Sequence, residues 1–507
     1  MPAGSLGTRR PAPAGLSACS EQQYKGERPP LNVVIGKDGC EVMSKFPLGI
    51  EEIASDVMAR RKATREKPPA AHPAPDERPG MLRASPQRVI RFESPRQPAP
   101  VKAYNALANT LRRCGARLSD LRPEELCAQA RKQTGLRDFG DEGFREPLRL
   151  LIRSLETEAD LHAFGRMRAR QLIVSGLVNR LRLENDWKQS PEILEQPLAR
   201  PLFILGLPRT GTTLLFNLLA CDPRHRWLSF WEAHTPSPPP QRDNYDKDPR
   251  LRTARRHLRI LDYLLPGLAA IHEFGADRPE ECYPLLANSF AGVQYTWGFF
   301  VPGYNDWLAS CDMGPVYRYF RKQLQLLQWH CPGERWLLKS PVHLHYLDSL
   351  LAAFPDACIV QLHRDPLEVL PSACSLRATL HGMVMNRVDV RRLSESLAKE
   401  AAGDVMRAIE VRRHVGSGHF HDVGYRDLLR DPIGTARSIY ERFGDVLHPD
   451  AEASMTAYLA SNPQHKHGVH VYSLEQFCLD ADTERRRFAL YTETFAAEAR
   501  LDHAARK

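Results

Sequence analysis

The stretch PLFILGLPRTGTTLLFNLLACDP, residues 201–223, combines three patterns in succession. PLFILG is a short apolar run that ends in glycine, as a buried parallel strand does. LPRTGTT follows as a loop, and LLFNLLACDP has the apolar character of a short buried helix. A strand, a glycine-containing loop and a helix in this order predict an anion-binding turn, because the first backbone N–H groups of such a helix point at the ligand.

Three later stretches have the same strand character: RWLLKSP at 335–341, ACIVQLHRDP at 357–366 and GHFHDVGYRDLL at 418–429. A helix is expected between the first two, in HLHYLDSLLAAF at 343–354, and another over residues 432–443. Strands that alternate with helices predict an α/β fold, a P-loop-like doubly wound parallel sheet flanked by helices.

We expect four regions in the chain. Residues 1–100 are rich in Pro and Arg and poor in apolar side chains, which predicts a mostly disordered arm. Apolar residues at three- and four-residue steps predict an N-terminal helical subdomain at 101–198. The α/β domain is expected at 199–480, with a helical insertion at about 236–335, and a C-terminal helix or tail at 481–507.

Composition narrows the class of protein. Seventy Lys and Arg against 61 Asp and Glu give a net charge of +9 over 507 residues, which suits an anionic ligand and is a weak indication of nucleic acid. We expect no nucleic-acid partner. No apolar run approaches the roughly 18 residues of a membrane span, and the first residues lack the apolar core of a secretory signal. Eleven scattered cysteines without a CxxC pair indicate reduced thiols, so we expect a cytoplasmic protein; oligomeric state is not indicated.

The loop has the spacing Gly206-x-x-x-x-Gly211-Thr212-Thr213 but lacks the lysine of a triphosphate-binding loop, where Thr212 stands. That lysine and Mg²⁺ neutralise the β- and γ-phosphates of a nucleoside triphosphate. Here the cation comes earlier, at Arg209, which indicates a loop for one monophosphate-type anion. A P-loop kinase or NTPase, or a non-catalytic nucleotide-binding scaffold, is the alternative.

A second basic element follows the strand at 357–363. Arg364 leaves the strand at its carboxyl end within His363-Arg364-Asp365-Pro366, and Ser372 follows two helical turns later. Both side chains are within reach of one phosphate. A structural pair between Arg364 and Asp365 is the alternative explanation.

The motifs GLPRTGTTLL, LLKSP and HRDPLEVLPS, in this order and at these separations, resemble the sulfotransferases that use 3′-phosphoadenosine 5′-phosphosulfate (PAPS), in particular their bacterial-type branch. The resemblance also covers the helical stretch at 118–185, the segment WEAHTPSPPP and the segment HKHGVHVYSLEQF at 465–477. It does not cover residues 1–100. It implies transfer of a sulfuryl group from PAPS to a hydroxyl or amine acceptor, a small molecule such as a lipid or a carbohydrate.

The resemblance also implies the donor-binding residues. The loop would hold the 5′-phosphosulfate through Arg209, Thr210, Gly211, Thr212 and Thr213. Arg364 and Ser372 would hold the 3′-phosphate, and Tyr425 would lie near the adenine or that phosphate. Lys466, within Lys-His-Gly where the usual order is Arg-Lys-Gly, would close over the 3′-phosphate.

The chemistry requires fixed cations near the bridging oxygen and a base for the acceptor hydroxyl. Arg209 and Lys339 are the expected cations. Cytosolic relatives use a histidine where this chain has Pro341, so the expected base is Glu232, by analogy with a glutamate that follows the loop helix in other relatives. The rival candidates are His234, His272, Glu280 and Glu281, and the alternative explanation for Glu232 is a helix-capping or salt-bridged carboxylate.

Two further features leave alternatives open. Aromatic residues between 295 and 336 either line an apolar acceptor pocket or belong to the core: Trp297, Phe299, Phe300, Tyr304, Trp307, Tyr317 and Tyr319. Alternating histidines at 343–345, 419–421 and 465–470 resemble metal ligands, but nothing in the sequence brings them together. Since the leaving group is a single phosphate, we expect no metal.

Overall fold

The computed structural model of the chain describes residues 34–36, 39–41, 89–90, 97–114, 119–265, 275–462, 469–470 and 472–496. The chain divides into two compact units, one made of 1–68 with 114–116 and the other of 69–113 with 117–507. In the first unit, strands β1 (Val34–Gly36) and β2 (Gly39–Glu41) form an antiparallel hairpin. The disordered arm expected over 1–100 lies mostly outside the described residues.

Among the described residues of the second unit there are seven strands: β3 (Val89–Ile90), β4 (Leu202–Gly206), β5 (His225–Trp227), β6 (Arg335–Lys339), β7 (Cys358–His363), β8 (Phe420–Gly424) and β9 (Val469–His470). Strands β4 to β8 form one sheet in the order β5-β6-β4-β7-β8, and every neighbouring pair is parallel. Strands β3 and β9 form a separate parallel pair. The doubly wound parallel sheet predicted from the sequence is confirmed.

Helices fill the connections. Before the sheet lie α1 (Ala99–Arg113), α2 (Pro123–Thr134), α3 (Arg145–Thr157) and α4 (Ala163–Gln189). Helix α5 (Thr212–Leu219) follows β4. The crossover from β5 to β6 contains α6 (Phe230–His234), α7 (Pro249–Leu264), α8 (Tyr283–Ala287), α9 (Gln294–Gly298), α10 (Pro302–Ser310) and α11 (Gly314–Gln328).

The remaining helices follow β6. Helix α12 (Leu347–Ala353) connects β6 to β7, and α13 (Pro366–Gly382) and α14 (Val390–Val415) connect β7 to β8. After β8 come α15 (Tyr425–Arg430), α16 (Pro432–Arg442), α17 (Pro449–Ser461), α18 (Ala481–Arg487) and α19 (Ala489–Thr494).

The central strands are buried on both faces, which explains why their sequences are continuous apolar runs instead of alternating ones. On one face Leu202 and Ile204 pack into a cluster with Phe216 of α5 and Ile439 of α16. On the other face the ring of Phe203 lies 5.3 Å from that of Phe354. Strand β4 therefore sits at the centre of the core, and its carboxyl end is held rigidly.

The strand order places the ends of three strands together. The chain leaves β4 toward β5 on one side of the sheet and leaves β7 toward β8 on the other, so the winding direction reverses between β4 and β7. Ligands of open α/β sheets bind in the crevice at such a reversal, outside the carboxyl ends of the strands. The loop after β4 lies in this crevice, flanked by the ends of β6 and β7.

Candidate active site

The loop after β4 is shaped by two glycines and a buried hydroxyl. Gly206 has φ +150°, and a Cβ there would lie 2.6 Å from the carbonyl oxygen of Leu362 in β7. Thr210 is fully buried, and its hydroxyl donates a hydrogen bond of 2.7 Å to the carbonyl of Leu207. Gly211, with φ +92°, precedes α5. The Thr210 hydroxyl thus holds the shape of the loop, which leaves its backbone N–H as the group to offer an anion.

The two basic elements of the sequence meet at this loop. The Arg364 guanidinium donates from Nη1 to the carbonyl of Arg209 at 3.1 Å. The Arg209 side chain in turn donates from Nε to the Ser372 hydroxyl at 3.2 Å. Arg364 also pairs with Glu368, one turn along α13, at 3.1 Å, and not with Asp365, which caps that helix. Arg209, Arg364 and Ser372 therefore form one connected group.

Tyr425 covers this group from the end of β8. The guanidinium of Arg364 lies 4.2 Å from the centroid of the Tyr425 ring, a cation–π contact. The same ring approaches Gly211 so closely that a Cβ there would lie 2.8 Å from Cδ2. The tyrosine named from the resemblance thus lies against both the loop and the second basic element.

Arg209 lies where burial and a neighbouring guanidinium disfavour its positive charge. Burial lowers the pKa of its guanidinium, and the charge of Arg364 lowers it further, while Tyr472 and Tyr425 raise it. An anion bound here would relieve the repulsion between the two guanidinium groups. Tyr472 is a neighbour of Arg209 that the sequence analysis did not identify. It lies in HKHGVHVYSLEQF, a segment in which only Lys466 was named as a donor-binding residue. Lys466 of that segment lies outside the described residues.

On the other side of the loop, Lys339 ends strand β6 beside the start of α5. Its ammonium group lies 3.4 Å from the Thr213 hydroxyl and 2.5 Å from Oε1 of Glu281. The Lys339 side chain is only 3% exposed and that of Glu281 14% exposed. The second oxygen of Glu281 accepts a hydrogen bond of 3.4 Å from Ser340. A buried cation and a partly accessible carboxylate are thus fixed next to the loop.

Two backbone hydrogen bonds hold that carboxylate against the sheet edge. The N–H of Glu280 donates to the backbone carbonyl of Leu228, just after β5, at 2.7 Å. The N–H of Cys282 donates to the backbone carbonyl of Lys339 at 3.1 Å. Segment 279–282 therefore bridges the ends of β5 and β6. Burial raises the pKa of Glu280 to about 7, with the neighbouring Glu281 carboxylate adding to the rise. Two adjacent carboxyl groups lie beside Lys339, in different environments.

The strands, the loop and their spacing have close counterparts among known proteins. The family model described as the sulfotransferase family matches residues 201–449. Sulfotransferase STF1 from Mycobacterium tuberculosis H37Rv is 34% identical in sequence, and the match covers 73% of this chain and 98% of that one, with a TM-score of 0.66. This chain belongs to the sulfotransferase family.

Two further relatives agree. Sulfotransferase STF9 from Mycobacterium avium is 31% identical, covers 74% of this chain and 97% of its own, and has a TM-score of 0.69. Omega-hydroxy-beta-dihydromenaquinone-9 sulfotransferase Stf3 of Mycobacterium bovis is 25% identical over 307 residues, 54% of this chain and 71% of that protein. The chain is accordingly an enzyme, a sulfotransferase, and the kinase and scaffold alternatives are not favoured.

In this sulfotransferase Glu232 is enclosed by donors. It is 0% exposed, and its Oε2 accepts hydrogen bonds from the Ser229 N–H at 3.0 Å, the Ser229 hydroxyl at 2.7 Å and the Tyr245 hydroxyl at 2.8 Å. Its Oε1 pairs with the Arg226 guanidinium. Ser229 and Glu232 form the capping box of α6. This environment differs from the expectation of a catalytic base, because no face of the carboxylate is left for an acceptor.

The other candidates are placed as follows. His234 donates from Nδ1 to the carbonyl of Phe230 at 2.9 Å, and burial lowers its pKa to about 4. His272 lies outside the described residues. Glu281 is the candidate that contacts a predicted catalytic cation.

The aromatic set divides between buried and half-buried side chains. Four of the seven belong to the core: Phe299, Tyr304, Tyr317 and Tyr319. Trp297 lies 4.6 Å from the guanidinium of Arg377, and Phe300 lies 5.3 Å from that of Arg392. No contact in the described part of the chain ties this set to Lys339 or to the loop. Segment 279–282 is the part of the crossover that contacts Lys339.

Within the described ranges no group of three or more His, Cys, Asp or Glu side chains is arranged to hold a metal ion. Over those same ranges no helix has both the length and the apolar character that a bilayer span requires.

Proposed function

We propose that this sulfotransferase takes its sulfuryl group from PAPS and that the crevice between β4 and β7 binds both ends of that donor. The loop and the start of α5 would hold the 5′-phosphosulfate through backbone N–H groups, Arg209, Thr212 and Thr213. Arg364 and Ser372 would hold the 3′-phosphate, with Tyr425 beside the adenine. The observation that carries this proposal is the hydrogen bond from Arg364 to the Arg209 carbonyl, since it joins the two predicted anion sites.

Lys339 is proposed as the main stabiliser of the transition state. In the reaction the bond between sulfur and the bridging phosphate oxygen breaks, and a bond from sulfur to the acceptor oxygen forms. Negative charge grows on the bridging oxygen, where a fixed cation lowers the barrier. The contact of the Lys339 ammonium with Thr213 at the start of α5 supports this role, because it places the cation at the phosphosulfate end of the loop.

Glu281 is proposed as the general base in place of Glu232. Its carboxylate is partly accessible and already contacts Lys339, whereas Glu232 is enclosed by Arg226, Ser229 and Tyr245. When the donor binds, Lys339 would turn toward the sulfuryl group and release Glu281 to accept the proton of the acceptor hydroxyl. The proton would then stay on the Glu281 carboxylate and pass to solvent once the sulfated acceptor and adenosine 3′,5′-bisphosphate have left.

The acceptor is proposed to be an apolar molecule with a hydroxyl group. Stf3, one of the relatives, is named for a hydroxylated menaquinone. A neutral hydroxyl needs the base that Glu281 supplies, and the donor would not need a metal for transfer from a single phosphate. We further propose that the enzyme acts in the cytoplasm.

The donor proposal is tested by calorimetry with adenosine 3′,5′-bisphosphate and adenosine 5′-phosphate. Arg364→Ala should weaken binding of the bisphosphate far more than binding of the monophosphate, because only the former carries the group that Arg364 would hold. Arg430→Ala, an exposed arginine on α15 paired with Asp427, is the matched control and should change neither affinity. Equal losses for both ligands would reject the 3′-phosphate role, and tight binding of Mg²⁺–ATP instead would reject the donor.

A further inference from the structure

Helix α7 carries a row of arginines on one face. Arg252, Arg255, Arg256 and Arg259 follow the spacing i, i+3, i+4, i+7 of a single helix face, and all four are exposed. We call these four residues the arginine stripe. Asp262 is the only acidic residue among the 16 of this helix.

The stripe is distinct from the face that holds the helix in place. Leu251 and Ala254 of α7 are buried and pack with Phe230 and Trp231. Arg250 is turned inward to Asp248, with an ion-pair distance of 2.7 Å. The four exposed guanidinium groups of the stripe therefore lie outside the buried face of α7.

The arrangement opposes helix stability. Arginines three and four residues apart are neighbours on a helix surface, and like charges at these spacings destabilise it. Within the stripe, Arg255 pairs with Asp277 at 2.8 Å, but both side chains are more than half exposed, where such a pair contributes little. An anionic surface would turn this repulsion into attraction. Guanidinium groups bind phosphate in a bidentate manner, so a phosphate-bearing surface fits the stripe.

The stripe lies beside the acceptor side of the site. The backbone N–H of Phe230 donates to the carbonyl of Arg278 at 3.3 Å, and that of Trp231 donates to the carbonyl of Ala276 at 3.2 Å. Both aromatic side chains pack against α7. Ala276 and Arg278, which accept these hydrogen bonds, lie five and three positions before Glu281 in the sequence. Arg255 of the stripe pairs with Asp277, four positions before Glu281, so the stripe adjoins the segment that carries the proposed base.

We propose that the arginine stripe binds the phosphate surface of an anionic membrane and so holds the enzyme where an apolar hydroxyl acceptor is dissolved. This inference rests on the proposed function in its choice of a lipid acceptor, which favours a membrane over a nucleic acid as the phosphate-bearing partner. The contact is electrostatic and peripheral, since the stripe exposes charged groups and not apolar ones. It weakens as salt is added, because salt screens exposed charges.

The test is co-sedimentation of the full chain with vesicles of phosphatidylcholine alone and of phosphatidylcholine mixed with phosphatidylglycerol. Each basic residue near an anionic leaflet strengthens binding roughly fivefold, so replacing all four arginines of the stripe by Gln should weaken binding to the anionic vesicles several-hundred-fold. Binding to the neutral vesicles should be weak for both proteins. The stripe variant should keep its fold, since the substitution removes repulsion.

A matched control carries the same loss of charge elsewhere. Four exposed arginines on α14 and α18 are replaced by Gln: Arg391, Arg413, Arg485 and Arg486. This variant should lose far less vesicle affinity than the stripe variant. Equal losses in the two variants, or equal binding to neutral and anionic vesicles, would overturn the proposal.

Two more measurements separate the alternatives. A DNA duplex that binds more tightly than the anionic vesicles and depends on the stripe would overturn the membrane proposal in favour of nucleic acid. Calorimetry with adenosine 3′,5′-bisphosphate should give the same affinity for the full chain and the stripe variant. If that ligand fails to bind while vesicle binding still depends on the stripe, the proposed donor is rejected and the membrane contact is supported.

Discussion

Replacing Glu281 by Gln should slow sulfuryl transfer, whereas the same replacement at Glu232 should mainly reduce stability. The two substitutions are isosteric and remove one negative charge each. They differ in surroundings, because Glu281 contacts the buried Lys339 beside the loop and Glu232 is enclosed in the capping box of α6. The pair of variants therefore separates a carboxylate that accepts a proton from one that holds a helix in place.

For Glu281→Gln we expect kcat to fall by about 10²- to 10⁴-fold, the usual contribution of a general base. The amide oxygen can still accept a hydrogen bond from Lys339, and the contact of Lys339 with Thr213 at 3.4 Å does not involve Glu281. Affinity for adenosine 3′,5′-bisphosphate should therefore stay within a few-fold of that of the unaltered enzyme.

For Glu232→Gln we expect kcat to change little and the free energy of unfolding to fall. Arg226 is only 11% exposed and pairs with Glu232, which is 0% exposed. Burial lowers the pKa of Arg226, but the charge and hydrogen bonds of Glu232 outweigh burial and raise the pKa above its usual range. Removing one partner of a buried ion pair costs about 3–5 kcal/mol.

The assay measures transfer of radiolabelled sulfate from PAPS to a polyprenyl alcohol in detergent, at a temperature where all variants are folded. Thermal unfolding is recorded alongside. A Glu281→Gln enzyme with nearly full kcat, or a Glu232→Gln enzyme that is stable but loses kcat by 10²-fold or more, would refute the assignment of the two roles.

Three further outcomes are expected. Lys339→Ala should lower kcat by roughly 10²- to 10³-fold, measured in the same transfer assay, with a smaller loss of donor-product affinity. Gly211→Ala should weaken binding of adenosine 3′,5′-bisphosphate in calorimetry, because its Cβ would meet Tyr425 at 2.8 Å; Gly416→Ala, at φ +77° with no atom within 4 Å of its Cβ, controls for backbone strain alone. Because burial raises the pKa of Glu280 from 4.5 to about 7, the folded protein holds a proton that the unfolded chain releases, so the free energy of unfolding should fall as pH rises between these values. Glu280→Gln should flatten that pH dependence in chemical denaturation, by at most about 3 kcal/mol.

The sheet and the loop were predictable because their signals are local. PLFILG, LPRTGTT and the apolar helix lie within one stretch of 23 residues, and each pattern has a single physical explanation. The basic element around Arg364 was found in the same way, at the end of a second apolar strand. Its contact with the Arg209 carbonyl depends on β4 and β7 being neighbours in the sheet, which no local pattern reveals.

The acceptor side was harder to predict because it depends on contacts between distant residues. Glu281 lies 58 positions before Lys339 in sequence and reaches it through the backbone pairing of segment 279–282. The expectation for Glu232 followed its distance from the loop and placed catalysis above the helix-capping alternative, although Ser229-x-x-Glu232 is the pattern of a capping box. That pattern already indicated a carboxylate bound to the start of a helix.

The long crossover between β5 and β6 carries the residues proposed for the acceptor and the membrane, apart from those proposed for the donor. It supplies Glu281 and the arginine stripe, while Arg209, Arg364 and Tyr425 follow other strands. With Glu281 in the proposed role of base, insertions or substitutions in that crossover would alter which molecule is sulfated and leave the residues proposed to bind the donor unchanged. Such modularity would let a single scaffold diversify into many specificities by remodelling one contiguous tract of the gene.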